Sequence, residues 1–67
     1  MIAISINGTP RHFDTALSVA TLLEHMQLVG KRVALEHNGA IVPRSQFPQQ
    51  MLANGDSVEI VVAVGGG

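Results

Sequence analysis

Three Asn-Gly pairs constrain the fold of this chain more than any other feature, and they stand at positions 7–8, 38–39 and 54–55. Both residue types tolerate positive φ, so such a pair beside an alternating apolar and polar run indicates a tight turn at the end of a strand. Alternating runs border all three pairs, at residues 1–6, 33–37 and 57–64. The sequence therefore predicts strands joined by tight turns, with the last run as the longest strand.

One stretch between these strands has helical periodicity. Its apolar side chains recur at the spacing of one helix face, at Val19, Leu22, Leu23 and Met26. Ser18 directly precedes this run, where its hydroxyl can accept a hydrogen bond from an early helical N–H group. We expect Gly30 to end the helix, because glycine readily adopts the left-handed conformation of a C-terminal cap.

The remaining segments complete the predicted architecture. Short return strands are expected at 11–13 and 40–42, and residues 44–50 should be irregular or a helical turn. Around that irregular segment, three apolar side chains are expected to fold back over the core: Phe47, Met51 and Leu52.

The first and last strands are candidates for a parallel central pair with the helix laid across one face of the sheet. The expected fold class is α+β, a β-grasp domain over residues 1–64 with a mixed four- to five-stranded sheet and one main helix on one face. A flexible glycine tail at 65–67 should follow it.

Composition excludes several classes of function. The chain has 67 residues, enough for one domain, and it contains no cysteine, so thiolate chemistry is absent. Its four basic and five acidic residues form no basic stripe, and Trp and Tyr are missing, so we expect no nucleic-acid partner. No apolar run approaches the length of a membrane span and no signal peptide is visible, so we expect no membrane association and a cytoplasmic protein.

Catalytic constellations are also missing from the sequence. His12, His25 and His37 fall on separate predicted elements without metal-ligand spacing, and the serines lack a nucleophile motif. We therefore predict that the chain binds no metal or cofactor itself and is not an enzyme on its own.

The last three residues, Gly65, Gly66 and Gly67, suggest a different chemical role. A glycine tail is thin enough to enter a narrow channel, and three extended residues reach about 10 Å. The Gly67 carboxylate, with an ordinary pKa of about 3.3–3.7, is ionised at neutral pH and unreactive until something activates it. We therefore predict Gly67 as the reactive group, the alternative being a frayed end without function.

The strand before the tail predicts where partners bind. Val61 and Ala63 alternate with the core-facing positions, so we expect them in an exposed apolar patch on the sheet face away from the helix. Ala34 or Phe47 would join this patch. The alternative is that residues 44–52 cover this face internally.

Five stretches of the chain occur in a distinctive order, at residues 4–8, 18–23, 38–44 and 54–60 and at the terminal glycines, and together they cover most of the chain. The most specific is Ile41-Val42-Pro43-Arg44 followed by the turn at residues 54–56. In these stretches the chain resembles the ThiS family of sulfur carriers in thiamine biosynthesis, which has a ubiquitin-like β-grasp fold.

The resemblance implies a mechanism and a set of partners. An adenylyltransferase related to ubiquitin-activating enzymes would use MgATP to adenylate the Gly67 carboxylate. Sulfur from a cysteine desulfurase would then displace AMP and leave a thiocarboxylate, which thiazole synthase would consume. Gly65 and Gly66 would bind these partners as extended backbone.

Other readings of the sequence stay open at this point. The small subunit of molybdopterin synthase resembles the chain in fold, tail and thiocarboxylate chemistry. A ubiquitin-like modifier conjugated through Gly67 is a second alternative, and a plain β-grasp binding module with an inert tail is a third.

Overall fold

The computed structural model describes residues 1–63, which form seven strands, one α-helix and one 3-10 helix. In chain order these elements are β1 Ile2–Ile6, β2 Thr9–Phe13, β3 Leu17–Ser18, α1 Val19–His25, β4 Val33–His37, β5 Ala40–Ile41, the 3-10 helix Arg44–Gln46, β6 Met51–Leu52 and β7 Ser57–Val62. The predicted strands and helix are all present. The predicted boundary between domain and tail lies outside the described residues.

Five of the strands form one mixed sheet in the order β2-β1-β7-β4-β5. The first and last strands lie side by side at its centre and run parallel, with Ser5 opposite Ser57 and Ile6 opposite Val58. The other pairs in this sheet are antiparallel. The prediction of a parallel central pair and a β-grasp topology is therefore confirmed.

The Asn-Gly pairs form two kinds of turn. Asn7 and Asn38 have φ values of 50° and 51°, and Gly8 and Gly39 also have positive φ, which is the conformation of the tight turns that suit twisted hairpins. At the third pair only Gly55 has positive φ, 88°. That turn joins β6 to β7, which belong to different sheets, so it does not have to match the twist of a hairpin.

Helix α1 begins as predicted and ends earlier than predicted. The Ser18 hydroxyl accepts the Thr21 N–H at 3.1 Å and caps the first turn. At the other end Gln27 adopts a left-handed φ of 59°, and the Leu28 N–H donates to the Leu23 carbonyl at 2.9 Å. The Gln27 N–H also donates to the Glu24 carbonyl at 3.1 Å, and the two bonds form a Schellman-type cap. The prediction that Gly30 caps the helix was therefore wrong.

The core lies between the sheet and α1, where Ile4, Val19, Leu22, Leu52 and Val58 are completely inaccessible to solvent. Segment 44–52 closes one side of this core, and the short pair β3–β6 joins the segment to the start of the helix. Phe47 is buried there, as predicted, whereas Met51 was predicted to be buried and is 52% exposed. Neighbouring residues of a strand point to opposite sides, so burial of Leu52 turns Met51 outward.

None of the helices within residues 1–63 combines the length and the apolar character needed to cross a bilayer.

Candidate functional site

The predicted reactive end, Gly67, and the predicted partner-binding residues Gly65 and Gly66 lie outside the described residues, as does Val64. The structure does describe the place where the chain leaves the sheet. Val62 pairs with Val33 at the start of β4, and the Ala63 N–H donates to the Arg32 carbonyl at 2.9 Å. The chain therefore stays attached to the sheet up to Ala63, beside the first residues of β4.

The Asn7 side chain binds the backbone of β7 on the edge that faces β1, opposite the edge that pairs with β4. Its side-chain oxygen accepts the Ile60 N–H at 2.7 Å, and its side-chain nitrogen donates to the Ile60 carbonyl at 3.0 Å. The Asn7 amide thus takes the place of a neighbouring strand's backbone for Ile60, because β1 has already turned away from β7 at this point. Sequence analysis identified Asn7 only as a turn residue, because the contact spans 53 positions and has no local signal.

The sheet face away from α1 is open near the end of β7. Val61 is 66% exposed, Ala63 is exposed, and exposed Ala34 lies directly opposite Val61 across the β4–β7 pair. The expected exposure of Val61, Ala63 and Ala34 is therefore confirmed, and the alternative that segment 44–52 covers this face is wrong. Their role in binding stays a prediction.

Phe47 does not belong to this patch. It is only 7% exposed, and its carbonyl accepts the Ala20 N–H at 3.0 Å on the helix side of the sheet. The prediction that Phe47 could join the exposed patch was wrong, because the 3-10 helix folds the segment back onto α1.

Three further residues lie on the open face and were not predicted as part of a site, although alternation along the last strand predicts Glu59 on its outer face. Glu36 of β4 lies directly opposite Glu59 of β7 on one side and Ile41 of β5 on the other. All three side chains are exposed, Ile41 by 74%. Strand alternation places each on an outer face, but only the register brings them into one row.

The surroundings of the chain exit are basic. Lys31 and Arg32 directly precede β4, and the Arg44 guanidinium lies 3.5 Å from the Lys31 carbonyl. Three of the four basic residues in the sequence are thus grouped at the edge where β7 ends. The open face therefore has an acidic pair on its surface and a basic edge beside the exit of the tail.

A polar network ties two turns together at the other end of β7. The Asp56 carboxylate accepts from His37 Nε2 at 2.7 Å, from the Ala53 N–H at 2.9 Å and from Asn38 Nδ2 at 3.3 Å. These bonds, foremost the one from His37, hold the pKa of the Asp56 carboxyl below its ordinary value. The Asn38 oxygen also accepts the Ser57 N–H at 2.8 Å, so the network stabilises the turns at this end.

The three histidines are not brought together. His25 packs edge-on against Phe13 with ring centroids 5.4 Å apart, His37 binds Asp56, and His12 lies on the edge strand β2. Within residues 1–63 no group of three or more His, Cys, Asp or Glu side chains is arranged to hold a metal ion.

The topology and the glycine-rich sequence after the central strand define the class: a ubiquitin-like β-grasp protein. A match to the ThiS family model over residues 4–67 defines the family, and the chain belongs to it.

Solved structures agree with this assignment. The crystal structure of the thiamine biosynthesis protein ThiS from Geobacter metallireducens superposes with a TM-score of 0.84 at 30% identity, covering 98% of this chain and all of that one. A solution NMR structure of a thiamine biosynthesis protein from the same organism gives 0.81, also at 30% identity, covering 98% of this chain and 88% of that one.

Relatives by sequence include longer proteins. The chain is 40% identical over 62 residues to a thiazole synthase of Paramagnetospirillum magneticum; the match covers 92% of the chain and 19% of that protein. The chain therefore spans about a fifth of that relative's length. It is also 36% identical over 66 residues to the protein ycf40 of Porphyra purpurea, covering 98% of the chain and 93% of ycf40.

Proposed function

We propose that this protein carries sulfur as a thiocarboxylate on Gly67 and delivers it for thiazole formation in thiamine biosynthesis. The observation that carries the proposal is the family match, which continues through Gly67 and includes all three final glycines. The chain itself supplies the acyl group and a docking surface, and partner enzymes supply the catalysis.

The chemistry begins with an unreactive carboxylate. An adenylyltransferase related to ubiquitin-activating enzymes binds MgATP, and the Gly67 carboxylate attacks the α-phosphate, releasing pyrophosphate and forming an acyl-adenylate. The terminal sulfur of a persulfide formed by a cysteine desulfurase then attacks the acyl carbon, and AMP leaves with the displaced oxygen. A thiol reductant cleaves the resulting acyl disulfide, so that the reductant ends in a new disulfide and the thiocarboxylate is released. The product is a sulfur nucleophile at the end of the glycine tail.

Binding of the tail has an energetic requirement. Ordering a flexible backbone costs about 1–2 kcal/mol per residue, and glycine loses the most freedom. Contacts along Gly65 and Gly66 offset this cost, and further affinity comes from the folded domain. The open sheet face supports this role because Val61 and Ala63 are exposed directly before the tail.

Thiazole synthase is the proposed acceptor of the sulfur. Two proteins that bear that name contain a segment similar to this chain, and the second is from Magnetococcus marinus, at 31% identity over 64 residues. A carrier-like segment within the same polypeptide as its acceptor supports physical association between the separate proteins.

Intact mass tests the proposal directly. Incubation of the purified chain with the adenylyltransferase, MgATP, cysteine, the desulfurase and a thiol reductant should add the mass difference between sulfur and oxygen to the chain. A variant without Gly67 should gain no such mass, while its thermal stability stays within error of the original. Unchanged mass of the full chain would refute the carrier chemistry, and conjugates of higher mass would identify a protein modifier instead.

Growth of a deletion strain separates the two sulfur pathways. Loss of this protein should create a requirement that added thiazole relieves, with molybdenum enzymes remaining active. Loss of molybdenum-enzyme activity with normal thiamine synthesis would assign the chain to molybdopterin synthase.

The proposed binding role of the open face can be tested with a matched pair of valines. Val61 and Val29 are 66% and 67% exposed, and only Val61 lies on the open face. Val61→Thr keeps the branched shape but removes apolar contact, so it should weaken binding to thiazole synthase several-fold, whereas Val29→Thr should not. Equal binding by both variants would exclude Val61 from the interface.

A further inference from the structure

The row formed by Glu59, Glu36 and Ile41 across three strands is unfavourable for the isolated protein. Glu36 and Glu59 are direct partners in the β4–β7 register, where side chains on one face stand about 4.5–5.5 Å apart at their Cβ atoms. Like charges in this arrangement destabilise a sheet. Within residues 1–63 neither carboxylate forms an ion pair, so the folded domain does not relieve the repulsion.

Apolar side chains border this carboxylate pair. Ile41 lies opposite Glu36 and is 74% exposed, and Val61 follows Glu59 by two positions on the same face of β7. Ala34, opposite Val61, is small and leaves space above the sheet. The open face therefore combines two adjacent negative charges with aliphatic surface on either side.

We propose that this face binds thiazole synthase through a cationic side chain of that enzyme, an arginine, held between Glu36 and Glu59 while aliphatic side chains cover Ile41 and Val61. Arginine fits because its planar guanidinium offers donors to two carboxylates at once and is weakly hydrated. The inference rests on the proposed function, since it names the chemistry of the partner at the same face.

The basic edge supplies the orientation. The Arg32 carbonyl binds the Ala63 N–H, and Lys31 and Arg44 lie next to Arg32, so a cationic surface would be repelled if it moved toward that edge. Attraction at the carboxylate pair and repulsion at the edge together disfavour placements of the partner that are shifted toward the edge. The partner would then lie over the open face, beside Ala63, the last described residue before the tail.

The test removes the two charges without changing side-chain size. Glu36→Gln combined with Glu59→Gln is compared with a control, Asp14→Asn combined with Glu24→Gln, which removes two exposed negative charges elsewhere. Association with purified thiazole synthase of the source organism is followed by stopped-flow kinetics over a range of salt concentrations. Thermal unfolding of each variant verifies the fold, and Glu36→Gln alone provides a second variant.

The open-face double variant should associate about tenfold more slowly at low salt, with a shallower salt dependence, and the control should match the wild type. Identical kinetics for the two double variants would overturn the proposal, as would an effect on self-association alone, measured by gel filtration. A wild-type chain that does not bind thiazole synthase would overturn the proposed function as well. Binding that is insensitive to the carboxylates overturns only this inference.

Discussion

The two faces of the central strand β7 differ in how far they are exposed to solvent. On the helix side Val58 and Ile60 are 0% and 7% exposed, and on the other side Val61 is 66% exposed. Residues of similar chemistry are thus buried on one face and exposed on the other. Apolar character along a strand therefore does not by itself define a core, because the cover supplied by α1 decides which side is excluded from solvent.

The largest contrast between the faces should come from two isoleucines. Ile4→Ala on the covered face removes a completely buried side chain and should cost about 2–5 kcal/mol in the free energy of unfolding. Ile41→Ala on the open face, where the side chain is 74% exposed, should change it by no more than about 0.5 kcal/mol. Urea unfolding measures both, and equal costs would contradict the division into a covered and an open face.

Removal of the helix cap should weaken the covered face by a smaller amount. Ser18→Ala deletes the acceptor for the Thr21 N–H and should cost about 1 kcal/mol, measured by urea unfolding. Ser45→Ala is the control, because the exposed Ser45 side chain makes no hydrogen bond within the described residues. A cost shared by both variants would show that the cap is not what holds α1 in place.

Acid should destabilise the end of β7 where the hydrogen-bond network of Asp56 lies. The pKa of the Asp56 carboxyl is lowered in the folded protein, so its stabilising contribution is complete above the ordinary value of 3.8 and is lost as the pH falls through the lowered value. Asp56→Asn should lower the melting temperature at pH 7 and flatten its fall below pH of about 4. Thermal scans against pH measure this, with Asp14→Asn as the control; an unchanged acid slope in Asp56→Asn would refute the assignment.

The smallest effect should have the opposite sign. Glu36→Gln with Glu59→Gln relieves like-charge repulsion on the open face and should raise the free energy of unfolding by about 0.2–1 kcal/mol. The gain should shrink in high salt, because screening weakens the repulsion in the parent protein. Loss of stability instead would mean that the two carboxylates support the fold, and the contrast between the faces would then fail at this row.

Much of the architecture was predictable from local pattern. Alternation located the long strands, the Asn-Gly pairs located the turns, and Ser18 located the start of the helix. The end of the helix was not predictable, because Gln27 adopts a left-handed conformation that sequence preference assigns to glycine. There the hydrogen bond from the Leu28 N–H to the Leu23 carbonyl outweighs the cost of a left-handed conformation at Gln27.

The site was predictable only in part. The glycine tail is evident from the sequence, and alternation separates Val61 from the core-facing positions, but only the structure shows that the face of Val61 is open. Phe47 was expected over the core and also as a possible member of the exposed patch, and the sequence could not choose between these places because the 3-10 helix before it has no clear periodicity. The two hydrogen bonds between the Asn7 side chain and the Ile60 backbone were not predicted, because they join distant parts of the chain.

Local patterns are enough to show which segments become strands, turns and helix, because these properties depend on neighbours within a few positions. The packing of distant segments settles which face of β7 is covered, which carboxylates stand opposite each other, and that the chain leaves the sheet beside Arg32. Strand register explains this division: a shift of one residue between β4 and β7 would separate Glu36 from Glu59, and nothing local in either strand specifies that alignment.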